Sequence, residues 1–263
     1  MAAYVRVPLE VGLEIGSGSG QLSYGLCQSS PLKLLICSDV SMQFLRILAK
    51  RLEPIRHFRQ TCLCRLDANR LPFRDGSVSA VFGHSVLHHI ARFEDTLREG
   101  YRVLRPGGVA MCGEPIMDHF GLLSLVAAII LQMDGVHSPR RLSPACQNYL
   151  AYIAGLSADK RRNLESDRDN LSSMEDKFVF EIAAMRALAK SIGFEVFEVI
   201  QHSAVEDLGA SLLASLYEES RGAPGATEGL EHYLFVFDMV TERYGRVMRR
   251  TASHGFAFFL FVK

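Results

Sequence analysis

Glycines at 16, 18 and 20 follow a carboxylate in the stretch LEIGSGSG, Leu13 to Gly20. Glycines spaced this way let the backbone approach a ligand closely, and such loops hold phosphates when a helix N-terminus follows. Both phosphate readings fail here. A dinucleotide loop wants G-x-G-x-x-G, and the chain has Gln21 where the third glycine belongs. A Walker loop ends in Gly-Lys-Ser/Thr, and QLS carries no lysine. Glu14 argues the same way, because a carboxylate beside the loop repels a pyrophosphate and attracts a cation. The ligand that suits the stretch carries positive charge, such as an ammonium with a sulfonium.

A loop of this kind needs a strand before it and a helix after it. VGLEI (11–15), LKLLIC (32–37), SVSAVFGHS (77–85) and GGVAMCGEP (107–115) read as short buried strands. Between them lie amphipathic segments, for example Phe44, Ile47, Leu48 and Leu52 in SMQFLRILAKRL. This alternation predicts a parallel sheet covered by helices on both faces, the α/β class. Further on, Ser172 and Glu175 have capping-box spacing, and Phe178, Ile182, Met185, Ala189 and Ile192 share one helical face that Gly193 ends. FEVFEVIQ (194–201) and GFAFFLFVK (255–263) read as two last strands, and RGAPGATEG (221–229) as a loop between helices.

With these elements in order, E-x-G-x-G-x-G after a first strand resembles motif I of the class I S-adenosylmethionine-dependent methyltransferases. Asp39 in ICSDVS closes the second strand, RLDANRLPFRDGSVSAVFGHSVLHHI (65–90) resembles the family's next block, and LREGYRVLRPGGVAMCGEP (97–115) the helix, turn and fifth strand after it. The resemblance spans residues 11–115 strongly and the later elements more loosely. It implies a Rossmann-like, seven-stranded, mostly parallel sheet flanked by helices, in a single domain over 1–263. Helical insertions would follow strand 5 (116–173) and lie between strands 6 and 7 (203–253), together capping a substrate. S-adenosyl-L-methionine would be the cofactor, bound by Glu14, Gly16, Ser17, Gly18, Gly20, Asp39, Val40, Asp67, Ala68, His84 and Ser85. In the family an acidic residue at Asp39 contacts the ribose hydroxyls, Asp67 the adenine amino group, and Ala68 lines the adenine. Each has a plainer reading: Asp39 as a helix cap, Asp67 as a turn former beside Asn69, Glu14 as a strand-end charge satisfied by backbone amides.

The implied chemistry is methyl transfer from a sulfonium to a small-molecule nucleophile, with oxygen ahead of nitrogen or carbon. The donor carries the reactivity, so the protein mainly binds, orients and excludes water. A hydroxyl acceptor gains from a general base, and His84, after the fourth strand, comes before Glu114, after the fifth, as the catalytic candidate. His88 and His89 suit packing and adenosine contact, while nothing in their spacing assigns Asp118 or His119. Glu114 and Asp118 do not suffice for a hard cation, so no metal is expected. The alternative is a non-catalytic cofactor-binding or regulatory subunit on the same fold; a nicotinamide oxidoreductase is disfavoured by the glycine spacing.

Composition agrees with a soluble enzyme. Lys plus Arg and Asp plus Glu are 29 each, so no global field recruits nucleic acid or anionic lipid. The apolar run FGLLSLVAAIIL (120–131) falls short of the roughly 20 residues that span a bilayer, and no charged n-region followed by an apolar h-region opens this sequence, so a secretory signal is not expected. Six scattered cysteines suit reduced thiols in a cytoplasmic protein. The expected partner is the small methyl acceptor, with a homodimer left open and neither nucleic acid nor stable membrane insertion. Tyr233, Phe237, Val240 and Tyr244 should pack on the sheet, and the charge run DKRRNLESDRDN should be a solvated helix face. Little of this sequence precedes the first strand, so any lid over the loop should come from the two insertions, from another chain, or from a part of the natural N-terminus that this sequence lacks.

Overall fold

In a computed structural model, described over residues 4–29, 31–55, 60–165, 176–200, 207–248 and 255–263, seven strands form one sheet. They are β1 (Val11–Ile15), β2 (Leu34–Asp39), β3 (Thr61–Arg65), β4 (Val78–His84), β5 (Leu104–Pro115), β6 (Val196–Ile200) and β7 (Phe256–Val262). Their order is β3-β2-β1-β4-β5-β7-β6, parallel throughout except for β7, which runs antiparallel to both neighbours. β1, β2 and β4 are buried almost end to end, as strands covered on both faces must be. β3 was not legible as a strand: it is short and half exposed, so TCLCR lacks the apolar run that marks the others.

The helices α1 (Gln21–Ser29), α2 (Met42–Leu52), α3 (Phe93–Val103) and α6 (Ile182–Ile192) cover the sheet. In α2 the buried stripe is Leu45, Leu48 and Leu52, whereas Phe44 and Ile47 are exposed, which shifts the expected face. α6 begins later than the periodicity suggested. Its N-cap is Glu181, and Phe178–Phe180 run extended because Phe180 bridges to Ile116 and both rings meet Phe93 at 5.0 Å. The Ser172–Glu175 capping box lies outside the described residues. Gly193 ends α6 at φ 110° as expected.

The insertions contribute α4 (Met117–Gly135), α5 (Pro144–Glu165), α7 (Leu208–Glu219) and α8 (Leu234–Met248). Leu123, Ile130, Leu150, Leu212, Tyr233 and Phe237 bury one another in a second core made by these helices. Tyr233, Phe237 and Val240 therefore pack on helices, a correction to the expected contact with the sheet. The Tyr233 hydroxyl donates to buried Asp134, which also accepts the backbone N–H groups of Arg141 and Leu142. Residues 159–165 of the charge run end α5, while their side chains, residues 166–170 and the side chain of Tyr244 fall outside what is described. By length and composition alone α4, at 19 residues and mean hydropathy 1.3, could cross a membrane. In the structure 44% of it is buried: Leu123, Val126, Ala127 and Ile130 are enclosed by the second core, whereas Leu125 is exposed.

Candidate active site

The direction of winding reverses between β1 and β4, and open α/β sheets bind ligands at the carboxyl ends of strands at such a switch point. A cavity of about 450 Å³ lies there, within the range of small-molecule sites. Its floor is the glycine loop. Gly16 (φ 60°) packs so closely on the segment after β4 that a β-carbon would stand 2.2 Å from a Val86 methyl. Gly18 (φ 50°) occupies the same left-handed region with open space before it. The Ser17 hydroxyl is buried, lines the cavity and has no hydrogen-bond partner among the described residues.

Glu14 lies beneath the loop, 2% exposed, and its carboxylate accepts the Ser23 hydroxyl at 2.6 Å. Burial pushes its carboxyl up to about 7, against the opposing pull of the Ser23 hydrogen bond. Asp39 accepts Gly18 N–H through Oδ2 at 2.9 Å and Ser41 N–H through Oδ1 at 2.8 Å. Ser41, not Asp39, caps α2, accepting from Phe44 N–H. On the far wall Asp67 closes a turn with Asn69 N–H at 2.9 Å, and Ala68 stands beside it. Exposed Val40 and Phe44 border the cavity.

His84 and Ser85 come from the end of β4. Ser85 has φ 52°, an unusual value for a non-glycine residue, and its N–H donates to Gly113 O at 2.9 Å. Strain of this kind costs on the order of 1 kcal/mol and collects at functional sites. In the sheet register His84 pairs with Gly113, and Gly113 pairs with Phe258. Gly113 has no side chain to separate them: a β-carbon there would sit 2.7 Å from the Phe256 and Phe258 rings. The His84 ring thus lies 4.9 Å from Phe256 and 5.8 Å from Phe258, centre to centre.

The same two phenylalanines line a second cavity of about 430 Å³ with Phe120, His119, Glu218 and Glu219. His84 and these rings form the wall between the two cavities. His119, unassigned from sequence, is buried with Nε2 2.9 Å from the Ser215 hydroxyl.

Glu114 is corrected. It is fully buried and borders neither cavity. Its oxygens accept N–H from Val86 and Leu87 at 3.1 and 2.8 Å and meet His88 Nδ1 at 2.6 Å. A carboxylate so committed cannot reach an acceptor, and its effect is to fix the turn after β4.

Residues 13–112 match the family model described as a methyltransferase domain. Over these residues, less than half of the chain, it is similar to the methyltransferase domain, and the seven-stranded sheet agrees with that fold. Over 99 residues, 38% of the chain, it is 32% identical to a malonyl-[acyl-carrier protein] O-methyltransferase of Marinomonas sp., covering 36% of that protein. Over 100 residues, again 38% of the chain, it is 32% identical to the ubiquinone/menaquinone biosynthesis C-methyltransferase of Desulfotalea psychrophila, covering 39%. The match thus spans well under half the length of these curated relatives. A Thermotoga maritima S-adenosylmethionine-dependent methyltransferase, described as a possible histamine N-methyltransferase, shares the fold at TM-score 0.51 and 16% identity, over 100% of this chain and 86% of that one.

The family's cofactor, S-adenosylmethionine, fits this cavity on two observations. The unpartnered Ser17 hydroxyl offers a hydrogen bond to a ligand, and Glu14 offers a buried carboxyl to a cation. Sequence reasoning missed Ser23 as the partner of Glu14 and missed the Phe256/Phe258 wall. Alternation in FAFFLFV could have shown the wall, since Phe256 and Phe258 fall on one face of the strand and Phe259 and Phe261 on the other.

Proposed function

We propose that this methyltransferase transfers the methyl group of S-adenosylmethionine to an oxygen of a small, partly apolar acceptor. One observation carries the reading: Glu14, Ser17, Asp39, Asp67 and His84 converge on one cavity at the β1/β4 switch point. The sulfonium supplies a methyl group activated toward an in-line nucleophile. Glu14 and Ser17 hold the amino-acid end, Asp39 the ribose, and Asp67 with Ala68 the adenine. Gly18 presents its backbone while Asp39 holds the loop from behind. His84, at the wall between the cavities, takes the proton released by the acceptor hydroxyl.

The acceptor's apolar part lies in the second cavity against Phe120, Phe256 and Phe258, with any cationic part toward Glu218 and Glu219, while its hydroxyl reaches past the His84 wall into the first cavity to meet the donor methyl in line. The insertion helices α4 and α7 supply Phe120, Glu218 and Glu219, which makes the second core the platform of the acceptor cap. The relatives' names span O-, N- and C-methylation; His84 at the wall supports oxygen, because a hydroxyl acceptor gains most from a base.

Calorimetry with S-adenosylmethionine, its demethylated product and NAD(H) tests the cofactor assignment, and preferential NAD(H) binding would overturn it. A methylation screen with labelled donor over hydroxyl, amine and carbon acceptors tests the acceptor. Tight donor binding without turnover across such a screen would make the chain a non-catalytic cofactor-binding subunit.

A further inference from the structure

His88 and His89 form a short 3-10 turn, Leu87–His89, directly after the β4 wall. Asp176 is far away in sequence, yet the chain brings it to this turn, and the next residue fixes the approach: Lys177 N–H donates to His88 O at 2.8 Å. Asp176 Oδ1 then stands 3.5 Å from His88 Nε2 and 3.4 Å from His89 Nδ1. We propose that these three atoms form a binding site for a borderline first-row divalent cation of the zinc class. The site adjoins the cofactor cavity, which His89 lines, and its test reads metal binding rather than methyl transfer.

Three arguments support it. The first is size. The three donor atoms lie within 4.8 Å of one another, and a tetrahedron with metal bonds of about 2.0–2.1 Å has edges of about 3.3–3.4 Å. The two His–Asp separations are close to that edge, so closure on a cation needs only small side-chain movement.

The second is orientation. Metal-bound histidines typically donate the other ring N–H to a carboxylate, which fixes ring and tautomer. His88 Nδ1 is 2.6 Å from Glu114, and Glu114 also accepts backbone N–H groups, so it acts as the acceptor and His88 Nδ1 as the donor. The other ring nitrogen, Nε2, stands 3.5 Å from Asp176 Oδ1, so a cation between them would be ligated from both sides while Glu114 holds the ring from behind.

The third is donor chemistry and access. Two imidazoles and one carboxylate suit zinc-class cations better than magnesium or calcium, which take mostly oxygen. Asp176 is 61% and the His89 side chain 41% exposed, so a hydrated ion has a path in. Three protein donors leave a position for water. The expectation of no metal weighed only Glu114 and Asp118, and neither is a donor here.

The exposed Cys62–Cys64 pair, with sulfurs 3.5 Å apart, is a competing zinc site on the same chain. Metal-free protein is therefore titrated with Zn²⁺ by calorimetry, as the full chain and as the C62S/C64S, D176N and H89A variants. Cobalt absorption is recorded in parallel, because thiolate ligation adds a charge-transfer band that nitrogen and oxygen ligation lacks. One equivalent binding to C62S/C64S without that band, weakened at least tenfold in D176N and in H89A, supports the site. Asp176 is exposed, so D176N should fold, and H89A provides a second test of the same prediction. Absence of saturable binding overturns the proposal. So does affinity unchanged in D176N and H89A, or binding that disappears in C62S/C64S.

Discussion

The Asp39 carboxylate holds the Gly18 N–H at 2.9 Å, tying the end of β2 to the glycine loop after β1. Its other oxygen holds Ser41 N–H at 2.8 Å at the start of α2. A residue expected to contact ribose thus also shapes the loop that approaches the cofactor, and the two duties are separable by experiment. Asp39→Ala removes both hydrogen bonds and leaves two backbone donors without this partner, at a cost of about 1–3 kcal/mol. It should weaken S-adenosylmethionine binding at least tenfold and lower the melting temperature of the ligand-free protein. A fall in affinity with unchanged melting temperature would show that Asp39 acts on the ligand alone.

With Glu14 facing the cationic end of the cofactor, as proposed, binding should depend on pH. The Glu14 carboxyl is pushed from 4.5 up to about 7 by burial, so between those values the folded chain keeps a proton that the unfolded chain has released. Folding stability therefore falls as pH rises across the window, by about 3 kcal/mol in all from this group. A cationic ligand favours the ionised form, so affinity should rise with pH up to about 7 and then level off. Below that plateau binding should release a proton, seen as a calorimetric enthalpy that varies with the buffer's ionisation enthalpy. Glu14→Gln should abolish the slope; an unchanged slope in that variant would assign it to another group.

His84 separates chemistry from binding. As the base, its loss in His84→Ala should lower kcat by roughly 10²–10⁴ while donor affinity changes by less than about threefold. Single-turnover rates with saturating donor provide the measurement. Unchanged turnover would remove the proton-transfer role and leave His84 as a wall residue stacked on Phe256.

What the chain revealed before folding follows from where each signal resides. The Glu14–Gly20 loop, Asp39 and Asp67 were legible because each sits at a strand end or turn, where a few consecutive residues determine the geometry. β1, β2, β4 and β5 were legible because burial on both faces demands continuous apolar runs. The His84–Phe258 wall was not: it depends on a register that crosses β4, β5 and β7 through Gly113, which local pattern does not record. Glu114 misled for a related reason. Its place at a strand end suggested access to ligand, yet the turn after β4 folds over it and uses its oxygens. Tyr233 and Phe237 showed the correct apolar face but not its partner, because one helix's periodicity cannot say whether a sheet or another helix will cover it.

Glu114 offers a stability prediction that a catalytic role would not make. Removing it in Glu114→Ala leaves the buried N–H groups of Val86 and Leu87 without this acceptor and His88 without its carboxylate. Leaving a buried donor unsatisfied in this way costs about 1–3 kcal/mol for each group. Chemical denaturation should show that loss whether or not donor is present. Glu114→Gln, which retains one carbonyl oxygen, should recover part of it. A variant with normal stability and selectively depressed kcat would restore Glu114 as a participant in the reaction.

Gly113 tests the wall between the cavities without touching any polar group of the site. In Gly113→Ala the new methyl would stand 2.7 Å from ring carbons of both Phe256 and Phe258, closer than carbon atoms pack. The rings must turn or shift, and they are the surface against which the acceptor is proposed to lie and against which His84 stacks. The β1–α1 loop, Asp39 and Asp67 are not among the atoms closest to that position. Donor affinity should therefore stay within about threefold while acceptor KM rises and kcat falls. The overpacking itself should cost about 1–3 kcal/mol in stability. If donor binding weakens as much as acceptor KM rises, the wall does not divide the two functions, and the acceptor must be sought on another face of the cavity that holds the cofactor.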